Sequence, residues 1–572
     1  SLLLKIYKNL KKYTMQLVLL IILLLGQTMA MLLLPNIMSD IIDSGVIMGD
    51  INYIITAGII MLVITLAGSA SAIGVGYFAS KIGVGFCTDI RKKLFKHVGK
   101  FTMSEFDQVG TASLTTRTTN DIMQIQDFTI MMFRVVILAP IMCVGGVALS
   151  IQKNPQLAWV IIVCMPLVLI FLIIVMKRAF PIFRSMQKKL DKLNVVMRES
   201  VTGVRVIRAF TAEKREEKRF EEANQVLTGT SIKSQVMMST LMPILMLIIN
   251  IGTIAVVWFG GQQIAKGTLM VGDLMAFIQY LVLIMYSLVM MSMIFAMMPR
   301  ASVCADRINE VMDIKPDITQ KETTVEPQSK TGVVEFKDVE FSYANTQHPA
   351  ITNISFTAQP GQTTAIIGAT GSGKSSVIMM IPRLYDVTKG SVCVDGVDVR
   401  DYDIHALRNR IGYVPQKAML FSGTIKENIA YENEEMPFEK IKRAAQISQS
   451  DTFIEEKSKQ YDDPIAQGGS NVSGGQKQRL AIARAMASDA SIYIFDDSFS
   501  ALDFKTDANL RKAIKENTKG ATVIIVAQRI NTIMDADKII VVDKGEIIGQ
   551  GTHEELVLSC DVYAEIARTQ LA

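Results

Sequence analysis

TTAIIGATGSGKSSVIMMI, residues 363–381, decides the fold of the carboxy-terminal half of this chain. Gly368, Gly373, Lys374 and Ser375 match the spacing GxxxxGK[ST], with an apolar run before the loop and another after it. A strand must deliver such a loop and a helix must leave it, and this flanking is the context the motif needs in order to bind nucleotide. The glycines let successive backbone N–H groups curl around phosphate oxygens at a helix N-terminus. The expected cradle is Gly368, Ala369, Thr370, Gly371, Ser372, Gly373, Lys374, Ser375 and Ser376. Lys374 would bridge the β- and γ-phosphates of ATP, and the Ser375 hydroxyl would ligand Mg2+.

The matching strand stands at SIYIFDDSFSALD, 491–503, where apolar Ile492 to Phe495 run into Asp496 and Asp497. A strand ending in an acid presents it to a bound metal, so Asp496 is assigned to the magnesium side. Between loop and strand lies NVSGGQKQRLAIARAMA, 471–487. Ser473 reads as an N-cap, and Gly474 and Gly475 expose backbone N–H groups at a helix start. This second phosphate-binding terminus, about 100 residues after the first, calls for a second phosphate. One ATP does not easily use both within one chain, so a dimer sharing its nucleotides is implied. From Val333 onward β-rich and helical segments alternate, as in an α/β domain. The roughly 240 residues involved suffice for a core of their own.

The first half differs in kind. The 572 residues are 50% hydrophobic and only 20% charged, with mean hydropathy +0.31, and the apolar content concentrates before Met298. Apolar runs lie at 16–38, 51–79, 128–151, 157–176, 236–265 and 274–298. Each approaches or exceeds the ~20 residues that cross a bilayer as a helix. So many long runs do not fit a soluble core, and six membrane helices are expected. No small-residue cleavage site follows the first run and further spans do, so it is expected to be a span and not a cleaved signal. A net charge of +5 is small for this length and argues against nucleic acid as a partner. The six cysteines, Cys87, Cys143, Cys164, Cys304, Cys393 and Cys560, form no CxxC pair and read as buried thiols of a reducing compartment.

Loop charges orient the spans. SLLLKIYKNLKKYT, 1–14, interleaves four lysines with Leu, Ile and Tyr, like an interfacial helix on the inner leaflet. Arg91, Lys92, Lys93, Lys96 and Lys100 follow the second span; Lys177, Arg178, Arg184, Lys188, Lys189 and Lys192 follow the fourth. The loop after the first span carries Asp40, Asp43 and Asp50 and no base. Both termini and the nucleotide-binding domain are therefore expected on the cytoplasmic side of a cell membrane, plasma or inner. Segments 80–127 and 177–235 have a helical composition; folded out and back, they reach on the order of 30–40 Å beyond the bilayer. Arms of that length need something to grip, and the second half of the chain is the candidate. Asn250, Gln279 and Arg134 lie in or near the spans and could line a substrate path. Interhelical hydrogen bonds for the amides and snorkelling for the arginine are the plainer reading. Met285, Met290, Met291, Met293, Met297 and Met298 suit either a plastic surface or simple space filling. The polar stretch DIKPDITQKETTVEPQSK, within 311–331, reads as a linker between a membrane domain, 1–310, and a nucleotide-binding domain, 332–572.

VSGGQ, with the phosphate loop ahead of it and SALD behind it, is similar to the nucleotide-binding domain of ABC transporters. Six spans upstream in the same chain resemble a half-transporter of the multidrug-exporter type, so the resemblance covers the whole chain. It implies that Tyr343, in FSY, stacks on adenine. It implies that Gln416, in YVPQ, senses magnesium and touches the membrane domain, and that Ser473, Gly474, Gly475 and Gln476 close on the partner chain's ATP. Asp503 would link the two sites across the dimer. ESVTGVRVIRAFTAEKREEKRF, 199–220, resembles the stretch leading into the second intracellular arm, whose tip should dock on an ATPase domain.

Two positions depart from the family pattern. Hydrolysing members carry glutamate after the magnesium aspartate, where it polarises the attacking water; here Asp497 retracts the carboxylate by about 1–1.5 Å. A misplacement of about 1 Å can cost on the order of a hundredfold in rate. In TVIIVAQRINTI, 522–533, Gln528 replaces the switch histidine. An amide still donates a hydrogen bond but carries neither a proton in transit nor a positive charge. IAQGGSN also has Gln467 where glutamate is usual. A single tolerated change, or a substitution made to stall the enzyme, would leave one departure. Two beside an intact loop and an intact VSGGQ read as a natively degenerate site. The expectation is an ATP-driven exporter of amphipathic small molecules, drugs or lipids, acting as a heterodimer in the lipid bilayer. The partner half would carry the missing Glu and His and be completed by this chain's signature. Without a peptidase-like domain ahead of the spans, a peptide-processing exporter is disfavoured. The alternatives are a weakly hydrolysing homodimer and, in another class, a nucleotide-gated channel or regulatory subunit.

Overall fold

The computed structural model describes residues 7–571, apart from Asn345. Residues 1–6 of the expected interfacial segment lie outside the described residues; Lys8–Tyr13 forms a 3-10 helix. The chain divides into two units: residues 1–99 with 112–313, and residues 100–111 with 314–572.

Among the described residues of the first unit, six helices are long and apolar enough to cross a membrane. They are Leu10–Val46, Ile51–Val98, Thr111–Lys153, Trp159–Thr202, Glu213–Ala265 and Val271–Asp313. Their packed faces are aliphatic: Leu20 and Leu24 of the first helix meet Val75, Ala79 and Ile82 of the second. Leu157, Ile161, Val168 and Leu172 meet Phe277, Leu281 and Ile284. The opposite faces are equally apolar yet exposed, as at Ile22, Ile59, Leu62, Leu66, Ile162 and Ile170. An apolar surface of that extent is stable against lipid and not against water. At the end away from the basic segments, Asp273 accepts from Lys153 Nζ at 2.7 Å and from Ser39 Oγ at 2.9 Å, tying three helix ends together. Asn250, Gln279 and Arg134 are all exposed. The amides therefore do not sit between packed helices of this unit, as the plainer reading had placed them, because the helix faces that carry them point outward. All six cysteines are buried and free.

The second unit holds two main sheets. β1 (Val334–Phe341), β2 (Ile351–Ala358), β4 (Lys389–Val394) and β5 (Val397–Asp398) form an antiparallel sheet in the order β2-β1-β4-β5. The larger sheet runs β12-β11-β3-β10-β9-β6. Its strands are β3 (Thr363–Ile367), β6 (Ile411–Val414), β9 (Ile492–Asp496), β10 (Thr522–Val526), β11 (Lys538–Asp543) and β12 (Glu546–Gly551). β7 (Gly423–Thr424) and β8 (Pro464–Ile465) make a small separate pair. Every residue of β9 and β10 is buried. Unbroken apolar runs of this kind belong to parallel strands covered on both faces. The period of two sorts them: Ile366, Ile494 and Ile524 enter one core with Phe336, Phe356 and Val377. Ala365, Phe495 and Ile525 enter the other with Leu480, Ile482 and Tyr563. β10 lies between β3 and β9, so the phosphate loop and Asp496 leave the same sheet edge two strands apart.

Candidate nucleotide-binding site

β3 ends in the loop 368–373, and the helix Lys374–Met379 begins at once. Two glycines are required by geometry. A Cβ on Gly368 would collide with the Val542 carbonyl. Gly373, at φ +100°, would bring one to 2.7 Å from Ile351 Cγ2 and 2.9 Å from the Ala350 oxygen. Only glycine adopts that conformation without strain. Lys374 is buried and its Nζ donates to the carbonyls of Gly368 at 2.8 Å and Ala369 at 2.7 Å. Burial pulls its ammonium below the ordinary value, and the Asp497 and Asp496 carboxylates oppose that pull.

A cavity of about 330 Å³ opens beside the loop. Tyr343, Ala350, Thr370, Gly371, Gly373, Lys374, Ser375, Ser376, Gln416, Asp496, Asp497, Val526 and Gln528 line it. The Tyr343 hydroxyl shares a 2.8 Å hydrogen bond with Ser376 Oγ, and its ring stands edge-on to Tyr385 at 5.4 Å. Ser375 Oγ donates to Asp496 Oδ1 at 3.1 Å. Burial raises the Asp496 carboxyl above its ordinary value, against the Ser375 bond. Asp497, at φ +47°, sits just past the strand. Its Oδ2 accepts from Gln528 Nε2 at 3.0 Å and from Gln416 Nε2 at 3.4 Å. Burial raises this carboxyl as well, and the Gln416 bond opposes the rise.

The donor set fits magnesium nucleotide. Ser375 and Asp496 offer oxygen ligands, the choice of a hard cation, and Mg2+ is commonly held by one or two protein groups together with substrate phosphates. Among the described residues no group of three or more His, Cys, Asp or Glu could hold a metal unaided. Ser372 Oγ is buried in the cradle with no hydrogen-bond partner, an unspent donor beside the loop.

The remaining expected residues stand elsewhere. Ser473, Gly474, Gly475 and Gln476 do not line the cavity. They open the helix Gly474–Ala487 through a capping box: Gln476 N–H donates to Ser473 Oγ at 3.2 Å, and Ser473 N–H donates to Gln476 Oε1 at 3.0 Å. That cap contributes about 1 kcal/mol to the helix. Ser473 is exposed and Gln476 half-buried. Asp503 is exposed and caps the helix Phe504–Asn517, accepting from Thr506 N–H at 3.0 Å. Gln467 lies in a 3-10 turn before the signature.

Sequence reasoning assigned one short segment to an arm without marking it out. Residues 100–111, between the second and third spans, belong to the nucleotide-binding unit. The helix Met103–Val109 there is capped by Thr102 and Glu105. Buried Glu105 also accepts from Asp317 N–H at 2.8 Å, and Asp107 accepts from the Tyr385 hydroxyl at 2.7 Å. The T-x-x-E spacing of 102–105 was a readable cap signal; nothing in the sequence announced its partners.

Six spanning-capable helices joined in one chain to a phosphate-loop cassette define an ATP-binding, multi-pass membrane protein. Residues 17–288 match the family of the ABC transporter transmembrane region, and residues 351–500 match the ABC transporter family. The chain belongs to the ABC transporter family. It is 40% identical over 567 residues to the uncharacterized ABC transporter ATP-binding protein MT1311 of Mycobacterium tuberculosis, across 98% of this chain and 97% of that protein. The ATP-dependent lipid A-core flippase of Syntrophus aciditrophicus is 30% identical over 482 residues, 84% of this chain and 80% of that protein. A bacterial Atm1-family ABC exporter solved with ATP bound shares the fold, with TM-score 0.81 and 23% identity over 98% of this chain and all of that one.

Proposed function

We propose that this chain is one half of a heterodimeric ATP-driven exporter, and that its own site retains ATP and hydrolyses it poorly. The observation that carries the reading is the pair of amides on Asp497: Gln528 at 3.0 Å and Gln416 at 3.4 Å both donate to Oδ2. A general base must have a lone pair directed at the water it deprotonates. Here the shortened carboxylate is already engaged by donors, and the group that engages it most closely is the residue in the switch-histidine position.

In this reading Tyr343 stacks on adenine, the loop Gly368–Ser376 cradles the phosphates, and Ser375, Asp496 and Gln416 hold magnesium. Bound magnesium ATP supplies the transferable phosphoryl group and the charge that draws two cassettes together. Ser473 to Gln476, at a helix N-terminus outside this chain's own cavity, serve the partner's ATP, and Asp503 links the two sites. The partner half carries Glu and His. The functional division is 1–310, membrane domain; 311–331, linker; 332–572, nucleotide-binding domain, with both termini cytoplasmic. Exposed Val204, Val206 and Phe210 at the second arm suit docking on an ATPase domain. The apolar spans and the kinship with a lipid flippase favour an amphipathic cargo, drug or lipid. The test is ATPase of the purified chain in lipid nanodiscs. Slow turnover is expected; brisk turnover abolished by Asp497→Asn would overturn the proposal.

A further inference from the structure

Gln528 reaches Asp497 from a short loop, which Arg529 pins from outside by donating to the Ser500 carbonyl at 3.2 Å. β10 ends at Val526, Ala527 N–H donates to the Ile366 carbonyl at 3.1 Å, and the next regular element is the single-turn helix Ile530–Ile533. That helix has Arg529 at its N-cap position and no side-chain cap. The first-turn N–H groups of a helix need outside acceptors, and Arg529 offers none.

The acceptor comes from the far end of the chain. Ile530 N–H donates to Gln570 Oε1 at 2.8 Å, and Gln570 Nε2 donates to the Gln528 carbonyl at 2.9 Å. One amide thus grips the loop on both sides of Arg529, in the manner of a strand partner. The helix that carries it, Asp561–Leu571, is firmly seated. Tyr563, Ala564 and Ala567 are buried on one face, and the Tyr563 hydroxyl bonds His553 Nδ1 at 2.8 Å. A helix packed on one face therefore bonds to the backbone from which Gln528 projects into the nucleotide cavity.

We propose that Gln570 is a positioning residue of the nucleotide site, holding Gln528 where it meets the γ-phosphate end of bound ATP. The inference rests on the reading of the site as one that retains ATP. It makes the carboxy-terminal helix part of how this chain distinguishes ATP from ADP, because Gln528 faces the group that ADP lacks.

The test uses the full-length protein in nanodiscs, with magnesium ATP and magnesium ADP as probes, and hydrogen exchange at the Ile530 amide. Gln570→Ala should speed Ile530 exchange at least about tenfold in nucleotide-free protein. It should lower the preference for ATP over ADP about fivefold, the worth of one hydrogen bond, with ADP affinity kept within about twofold. Gln570→Glu retains the acceptor and loses the donor, so it should restore Ile530 protection without restoring the preference; it also carries the test if the alanine variant fails to fold. Unchanged Ile530 exchange in Gln570→Ala, or an equal loss of ATP and ADP affinity, would overturn the proposal. If the wild-type chain binds the two nucleotides equally, the retention reading fails by itself, and the proposal about Gln570 as a determinant of nucleotide preference falls with it, even where faster exchange still shows the clamp.

Discussion

At the scale of single residues, this nucleotide site joins a phosphate-loop grip to a carboxylate held by amides, and we propose that the latter is a compromised base. Lys374, Ser375 and Asp496 are held by one another and by the loop's own carbonyls, while Asp497 is held by two amides. Restoring both lost groups should restore chemistry. Asp497→Glu combined with Gln528→His is expected to raise ATP turnover of the purified chain on the order of a hundredfold, the factor that about 1 Å of misplacement removes. A phosphate-release assay checks it, and no rise would place the limitation elsewhere. Lys374, Ser375 and Asp496 were legible in the linear sequence from the loop's spacing and the strand ending in an acid, and Gln416, Asp497 and Gln528 through the resemblance to ABC transporters. Their mutual bond was not: residues 31 positions apart met only because adjacent parallel strands end at one edge of the sheet.

Among elements, the segment 100–111 stands out, since composition assigns it to an arm and packing assigns it to the cassette unit. Glu105 holds it, satisfying Thr102 and the Asp317 N–H from a buried position. Glu105→Ala leaves those donors unpaired and should cost about 1–3 kcal/mol. Faster limited proteolysis near Asp317 at neutral pH would register the loss. The same contact sets a pH dependence. Burial pushes the Glu105 carboxyl up, but the Asp317 and Thr102 bonds outweigh it and hold the group below its ordinary 4.5. A depressed carboxyl stabilises fully above the unfolded value and loses that contribution as pH falls from 4.5 through the folded value. Wild-type protection near Asp317 should therefore decay in that acid window, and Glu105→Ala should show no such step.

For the whole molecule, the separation of signature from cavity matters most. Ser473 and Gly474 are exposed, and with Gly475 and Gln476 they lie outside the chain's own nucleotide pocket. In the assembled transporter Ser473→Arg should lower total ATPase about a hundredfold, as removal of a preorganised phosphate donor does. ATP binding to this chain's own phosphate loop should persist. Parallel turnover and binding measurements check it; loss of both together would mean that signature and loop serve one nucleotide within one chain. The sequence by itself determined that six apolar spans precede a phosphate-loop cassette, since bilayer thickness and the reach of backbone N–H groups translate directly into run length and glycine spacing. It also placed Asp497 and Gln528 at the two positions where the resemblance to ABC transporters implies a glutamate and a histidine. Only the tertiary structure decided which distant groups meet: Gln416 and Gln528 on Asp497 in the site, Gln570 on the loop behind Gln528, and, away from the site, Glu105 on Asp317. Contacts of that kind depend on how strand order and helix packing close the chain in space, and one-dimensional spacing carries no record of that closure.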